Sequence, residues 1–274
     1  MPPIIDAHMH LSGRPDDILL PFARRNGFSY TLAELTRLMR ESGISKGLLL
    51  SPPLSGGRPL PNDEVMTICR DSGGLLSPVL TVVPTKEGVT SAISMAKRSL
   101  KVVKGFKILL GYFRVFAHSP VFRPLYDLAE EEELPVLFHT GDTADSGGSL
   151  VHSHPLTLDA LANARPGLRM VACHFGNPWI EDVGELLYKH ENLYADVSGL
   201  SVGEGRYSVR YGESLARRVS EAIYFAGGAD KVIFGSDYPV TSQTSALALV
   251  ARLDIDPADR RKVLAGNAKQ VFRL

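Results

Sequence analysis

Apolar runs and helical periods take turns along the whole chain. The first run, PIIDAHMH over residues 3–10, alternates with a period of two and reads as a β-strand. TLAELTRLMRESG (31–43) follows with helical periodicity, Thr31 as a candidate N-cap and Gly43 as its stop. Strand-like KGLLLSP (46–52), LLSPVLTVVP (75–84) and VVKGFKILLGY (102–112) then alternate with helix-like NDEVMTICRDSG (62–73), GVTSAISMAKRSL (88–100) and FRPLYDLAEEEEL (122–134). In the second half PVLFHTGD (135–142), LRMVACHFG (168–176), LYADVSG (193–199) and KVIFGSDYP (231–239) read as strands. They are separated by helical PLTLDALANARP (155–166), IEDVGELLYKHE (180–191) and ESLARRVSEAIYFAG (213–227), and two helical segments, 242–254 and 257–272, close the chain.

Eight strands, each followed by a helix, imply a parallel sheet. Eight such units in 274 residues predict a closed (β/α)8 TIM barrel, one domain over residues 1–274. A doubly wound open sheet is the rival. It would carry a glycine-rich phosphate loop after the first strand, and HMHLSGRPDD has none. The longer connections, 11–30, 112–121, 140–154 and 200–211, all follow strands and so fall on the C-terminal face of a barrel.

Composition narrows the class. Lys+Arg and Asp+Glu both number 30, and no long basic run is present, which argues against a nucleic-acid partner. The acidic run Glu130 to Glu133 lies in a helical pattern and reads as a solvated face. Two cysteines, Cys69 and Cys173, make no disulfide framework and fit a reducing compartment. The start MPPIID reads as no signal peptide, and no run reaches 18 apolar residues. A soluble cytoplasmic protein with no membrane partner is the expectation, and a homo-oligomer is compatible with it.

The chemistry collects at strand ends. Asp6, His8 and His10 share one face of the first strand, and the two imidazoles can bind one metal as neighbours. An H-x-H pair alone carries little weight; His152 and His154 form another in a loop. Position carries more. His139 ends the fifth strand, His174 the sixth and Asp237 the eighth. Taken singly, each reads as a satisfied core or capping residue. Four strand ends aimed at one barrel mouth read as an active site.

With DAHMH, GFK, PVLFHTG, the HP at His154, CHFGNPW, NLYADVSG, FGSDYP and GNAKQVF, the chain resembles the amidohydrolase superfamily over nearly its whole length. It is most similar to the amidohydrolase-related branch, which includes aminocarboxymuconate-semialdehyde decarboxylase and resorcylate-type decarboxylases. The resemblance implies one divalent metal ion held by His8, His10, His139 and Asp237, with His174 beside it as a catalytic group facing substrate or attacking water. Nitrogen-rich ligation with a carboxylate suits Zn²⁺, with Mn²⁺, Co²⁺ and Fe²⁺ as alternatives. Asp6 is expected to orient an imidazole from behind, and Asn267 to cap structure in the tail.

Many relatives follow the strand-four lysine with HP, whereas this chain has Ile108, Leu109 and Leu110. His118 reads as a surface loop residue. Lys107 shares parity with Gly105 and points inward; in other branches a carboxylated lysine on this strand bridges two metals. An ammonium paired with a carboxylate, or facing an anionic substrate group, is the expectation here. Further substrate candidates are His154, Arg206 and Arg210, because guanidinium forks suit a substrate carboxylate. Arg14, Arg58 and Arg114 read equally as such contacts or as ordinary surface cations, and Trp179 as a helix anchor.

The expected function is metal-dependent hydrolysis of a small carbonyl compound such as a cyclic amide or lactone. In it Asp237 shuttles the proton and His174 stabilises charge on the attacked oxygen. The alternative is non-oxidative decarboxylation of a small aromatic or unsaturated acid at the same site. A metal- or ligand-binding barrel without turnover is the third reading. The partner is in each case a small molecule, and Lys107, Arg206 and Arg210 would suit one that bears a carboxylate.

Overall fold

The computed structural model describes residues 3–200 and 206–274, the side chains of residues 206–208 excepted. Eight parallel strands form the barrel wall: β1 (Ile4–His10), β2 (Ile44–Leu50), β3 (Leu76–Thr81), β4 (Phe106–Ile108), β5 (Val136–Phe138), β6 (Met170–Ala172), β7 (Leu193–Asp196) and β8 (Val232–Ile233). Each pairs with its sequence neighbours. Closure comes where β1 meets the chain beyond β8. Ala7 donates its N–H to Phe234 O at 3.0 Å, Asp237 to His8 O at 2.8 Å and His10 to Tyr238 O at 2.7 Å. The predicted TIM barrel is therefore the fold observed.

Both faces of these strands are buried, which is why they read as near-continuous apolar runs. Phe106, Ile108, Val136, Phe138, Met170 and Ala172 pack in one cluster with helix residues such as Leu125, Leu128 and Val183. The alternate positions Leu137 and Val171 join Leu48, Leu50, Val79 and Ile233 in a second cluster. The outer ring includes α1 (Leu32–Glu41), α2 (Asn62–Asp71), α3 (Lys86–Arg98), α4 (Arg123–Glu131), α5 (Ile180–Lys189) and α6 (Arg206–Phe225). Thr31 caps α1 as its position predicts, accepting the Glu34 N–H at 3.3 Å. No helix among the described residues is long and apolar enough to cross a membrane.

Three local features depart from the sequence pattern. The connection 11–30 holds a short helix, Leu20–Arg25, too brief to display a period. The strand expected over 102–112 contributes only Phe106–Ile108 to the ladder; a turn begins at Leu109, where Phe113 N–H donates to Leu109 O at 2.9 Å. The tail is broken by a π turn at Lys262–Gly266, after which Asn267 donates to Ala229 O and Val232 O, both at 2.7 Å. That pair of bonds ties the tail to the entry of β8, the structural role expected of Asn267.

Candidate active site

The first strand delivers two imidazoles to the barrel mouth with their orientations fixed. Nδ1 of His8 lies 2.9 Å from Asp196 Oδ2, and a carboxylate only accepts, so Nδ1 carries the hydrogen. Nδ1 of His10 donates in the same way to Leu50 O at 3.0 Å. Each ring therefore turns its Nε2 into the cavity. The Nε2 of His10 stands 3.2 Å from Asp237 Oδ1, and that of His8 stands 3.8 Å from the same oxygen. The buried His8 Nε2 has no hydrogen-bond partner.

Asp237 reaches this point from a backbone at φ 63, anchored by its N–H to His8 O. Burial alone would raise its carboxyl, but the hydrogen bond to His10 and the charges of His174 and His8 outweigh it and hold Asp237 at about 2. His8 is pushed the other way, to about 3, by burial and by the nearby charge of Lys107. The unpartnered His8 nitrogen, the His10 nitrogen and the Asp237 carboxylate thus converge on one point, a donor set that fits a cation.

A second group meets beside the first. His174 sits at φ 60, just past β6, and its N–H donates to Asp196 Oδ1 at 2.9 Å. The Ser198 hydroxyl also donates to Asp196 Oδ1, at 2.5 Å, so its oxygen is left to accept from His174 Nδ1 at 2.9 Å. The Nε2 of His174 then faces His139 Nδ1 at 3.1 Å. His139 donates its other nitrogen to Asp142 O at 2.9 Å, and burial holds its imidazole neutral, well below the usual histidine range. Space is tight. Gly199 lies at φ +69, where a Cβ would stand 2.8 Å from Asp237 Oδ2.

The donor atoms of His8, His10 and Asp237 lie within 4.8 Å of one another, as do those of His8, His174 and Asp196. His139 is in neither group; it stands next to them through His174. His8, His10, His139, His174 and Asp237 line a cavity of about 140 Å³. Leu19, Phe22, Pro53, Leu109, Leu200 and Val240 form its apolar wall. Lys107 lies in it as well, 1% exposed, with Nζ 2.7 Å from Cys173 Sγ rather than against a carboxylate. Burial keeps Cys173 a thiol.

Two expectations need correction on geometry. Asp6 orients no imidazole: its Oδ1 accepts the N–H groups of His8 and Ser236, at 3.2 and 2.9 Å, and so ties β1 to the chain after β8. The carboxylate behind the imidazole is Asp196. It ends a strand, β7, and the criterion that selected His139 and His174 applies to it equally. His154 is no cavity residue either. It caps a helical turn by accepting the Leu156 N–H at 3.3 Å and packs against Trp179, ring centroids 4.5 Å apart. Arg210 is exposed and outside the cavity lining, and the Arg206 side chain lies outside the described residues. Tyr112 and Asp142 line the cavity without having been singled out.

The family model described as Amidohydrolase matches residues 5–274. Gamma-resorcylate decarboxylase of Rhodococcus jostii (strain RHA1) is 22% identical over 184 residues, 57% of this chain. The alignment spans 55% of that relative's own length. An uncharacterized TIM-barrel protein from Bordetella bronchiseptica superposes with a TM-score of 0.77 at 19% identity, over 98% of each chain. A putative 2-pyrone-4,6-dicarboxylic acid hydrolase from Pseudomonas putida gives a TM-score of 0.71 at 20% identity, over 100% of this chain and 98% of the other.

Proposed function

The chain belongs to the amidohydrolase family, and we propose that it is a divalent-metal enzyme hydrolysing a small carbonyl compound that bears a carboxylate. The observation that carries the metal is the convergence of His8 Nε2, His10 Nε2 and Asp237 Oδ1, with the first of these buried and unpartnered. In this reading those three residues hold the ion and His139 completes the set. Its nitrogen-rich character favours Zn²⁺ over Mn²⁺, Co²⁺ or Fe²⁺. When bound, such an ion supplies Lewis acidity and brings the pKa of water towards about 7.

The residues around it divide the remaining work. Asp237, ionised above about pH 2, accepts the proton of the attacking water and returns it to the leaving group. His174 donates to the oxygen on which negative charge develops. The Lys107 ammonium offers a fixed positive charge to a substrate carboxylate. The apolar wall of Leu19, Phe22, Pro53 and Val240 takes the rest of a small ring and keeps bulk water out.

Decarboxylation is the second reading. It is favoured by the same apolar wall, which fits an aromatic ring, and by the likeness to a gamma-resorcylate decarboxylase. Metal analysis combined with a substrate panel tests both. The purified protein should hold close to one equivalent of divalent metal, and His8→Ala and Asp237→Ala should each lose most of it. Full retention by both variants would refute the metal assignment. Turnover of lactones or cyclic amides selects hydrolysis, and CO₂ release from hydroxybenzoates selects decarboxylation.

A further inference from the structure

Tyr112 occupies a built position that no role above uses. It sits in the turn that leaves β4, and the turn is pinned on both sides. Gly111 N–H donates to Phe113 O at 3.1 Å, and Ser149 N–H donates to Gly111 O at 2.9 Å. Gly111 lies at φ +86, where a Cβ would stand 2.8 Å from Ser153 Cβ, so only glycine fits. The turn after β4 is thereby clasped to the loop after β5. The clasp sets the Tyr112 ring against His139, centroids 4.9 Å apart and the planes 65° apart, in the lining of the cavity.

The hydrogen bonding of its hydroxyl has a direction. Ala144 donates its N–H to Tyr112 Oη at 2.9 Å, which occupies an acceptor lone pair. No described residue accepts the hydroxyl hydrogen in return. With that lone pair taken and Tyr112 in the cavity lining, the hydroxyl hydrogen is left to be donated there. The amide N–H on its oxygen polarises it further in the donating sense. A cavity with one buried ammonium and one neutral, prepolarised donor is matched to an oxyanion.

We infer that Tyr112 is a specificity-determining residue that donates a hydrogen bond to an anionic oxygen of the substrate. The inference rests on the metal-site reading for the oxyanion's other contact. A carboxylate or phenolate oxygen accepts this bond; a substrate without such an oxygen leaves it unmade, which is how discrimination arises.

Cobalt-loaded protein titrated with benzoate, followed by visible absorption, tests this. Metal analysis comes first, and a parent that holds no cobalt refutes the metal-site reading itself. In loaded protein, Tyr112→Phe should weaken benzoate at least tenfold while leaving cobalt content unchanged. Imidazole, which offers nitrogen and no oxygen, should bind parent and variant within twofold; a general distortion of the cavity would weaken both probes. Equal benzoate affinity in loaded parent and variant, parallel loss of both probes, or no benzoate binding by the loaded parent would each overturn the inference.

Discussion

Asp196 holds the ring of His8 from behind, with Oδ2 at 2.9 Å from Nδ1 and both side chains 1% exposed. This one bond fixes the tautomer that turns His8 Nε2 toward Asp237. The His8–Asp196 contact also joins β1 to β7, strands that are not neighbours in the barrel. Burial would raise the Asp196 carboxyl, but the charge and hydrogen bond of His8 hold it well below the usual carboxylate range. Replacement by asparagine keeps the shape and removes the charge. Asp196→Asn should weaken metal affinity by about 10- to 100-fold, the range for loss of a carboxylate behind a ligating imidazole. Competition against a chelator reads this directly; affinity within twofold of the parent would show that the bond orients nothing.

His174 makes a different prediction from His8. Its Nδ1 is satisfied by Ser198, and its Nε2 faces His139 rather than the point shared by His10 and Asp237. His174→Asn should leave metal content near the parent value. Turnover of whichever panel substrate is accepted should fall by about 10² or more, as for loss of a proton donor or charge stabiliser. Metal loss as complete as in His8→Ala would make His174 a ligand instead.

The barrel was legible because two periods alternate without interruption, and because buried strands advertise themselves as unbroken apolar runs. His8, His10, His139, His174 and Asp237 were legible by position: each stands near or just beyond the C-terminal end of a strand, and parallel topology sends all those ends to one face. Asp196 satisfies the same test but stands in LYADVSG, where Asp-x-Ser also reads as the start of a turn. Its partner, 188 residues away, is invisible along the chain. Tyr112 was hidden inside an apolar run that looked like continuous strand until the Gly111 turn broke it. His154 misled for the opposite reason. A histidine before proline in a loop matches a motif, but its nitrogen is spent on the Leu156 N–H.

Acid stability should depend in part on Asp159, which opens the helix Asp159–Ala164 and anchors the end of α5. Its Oδ1 accepts from Lys189 Nζ at 2.6 Å and His190 Nε2 at 2.8 Å. The hydrogen bond from Lys189, then that from His190, lowers its pKa from the usual value. A carboxyl depressed in the folded state adds stability above its unfolded value of about 4, and that stability is lost as pH falls through the folded value. The side chain is 37% exposed, so solvent screening limits the effect to about 0.5 kcal/mol. Urea unfolding should show Asp159→Asn less stable than the parent at pH 7, with the gap narrowing as pH falls below about 4. A gap that persists unchanged at pH 3 would trace the effect to packing.

Lys107 decides how many metals the site takes. A carboxylated lysine would be negative and would draw a second ion beside the first; an ammonium repels one. The Nζ lies 2.7 Å from the Cys173 thiol, and its positive charge is among the causes that lower His8 and His139 and is felt at Asp196. A buried cation against a neutral thiol is poorly compensated, so its replacement by an apolar chain of similar length should not weaken the fold. Lys107→Met should leave the thermal midpoint equal to or above that of the parent and the metal count near one. Turnover of a carboxylate substrate should fall at least tenfold, chiefly through KM, because the lost contact is to a group present in ground and transition states alike. Two metals in the parent, falling to one or none in Lys107→Met and recovering in Lys107→Ala when short carboxylic acids are added, would establish the carboxylated lysine instead.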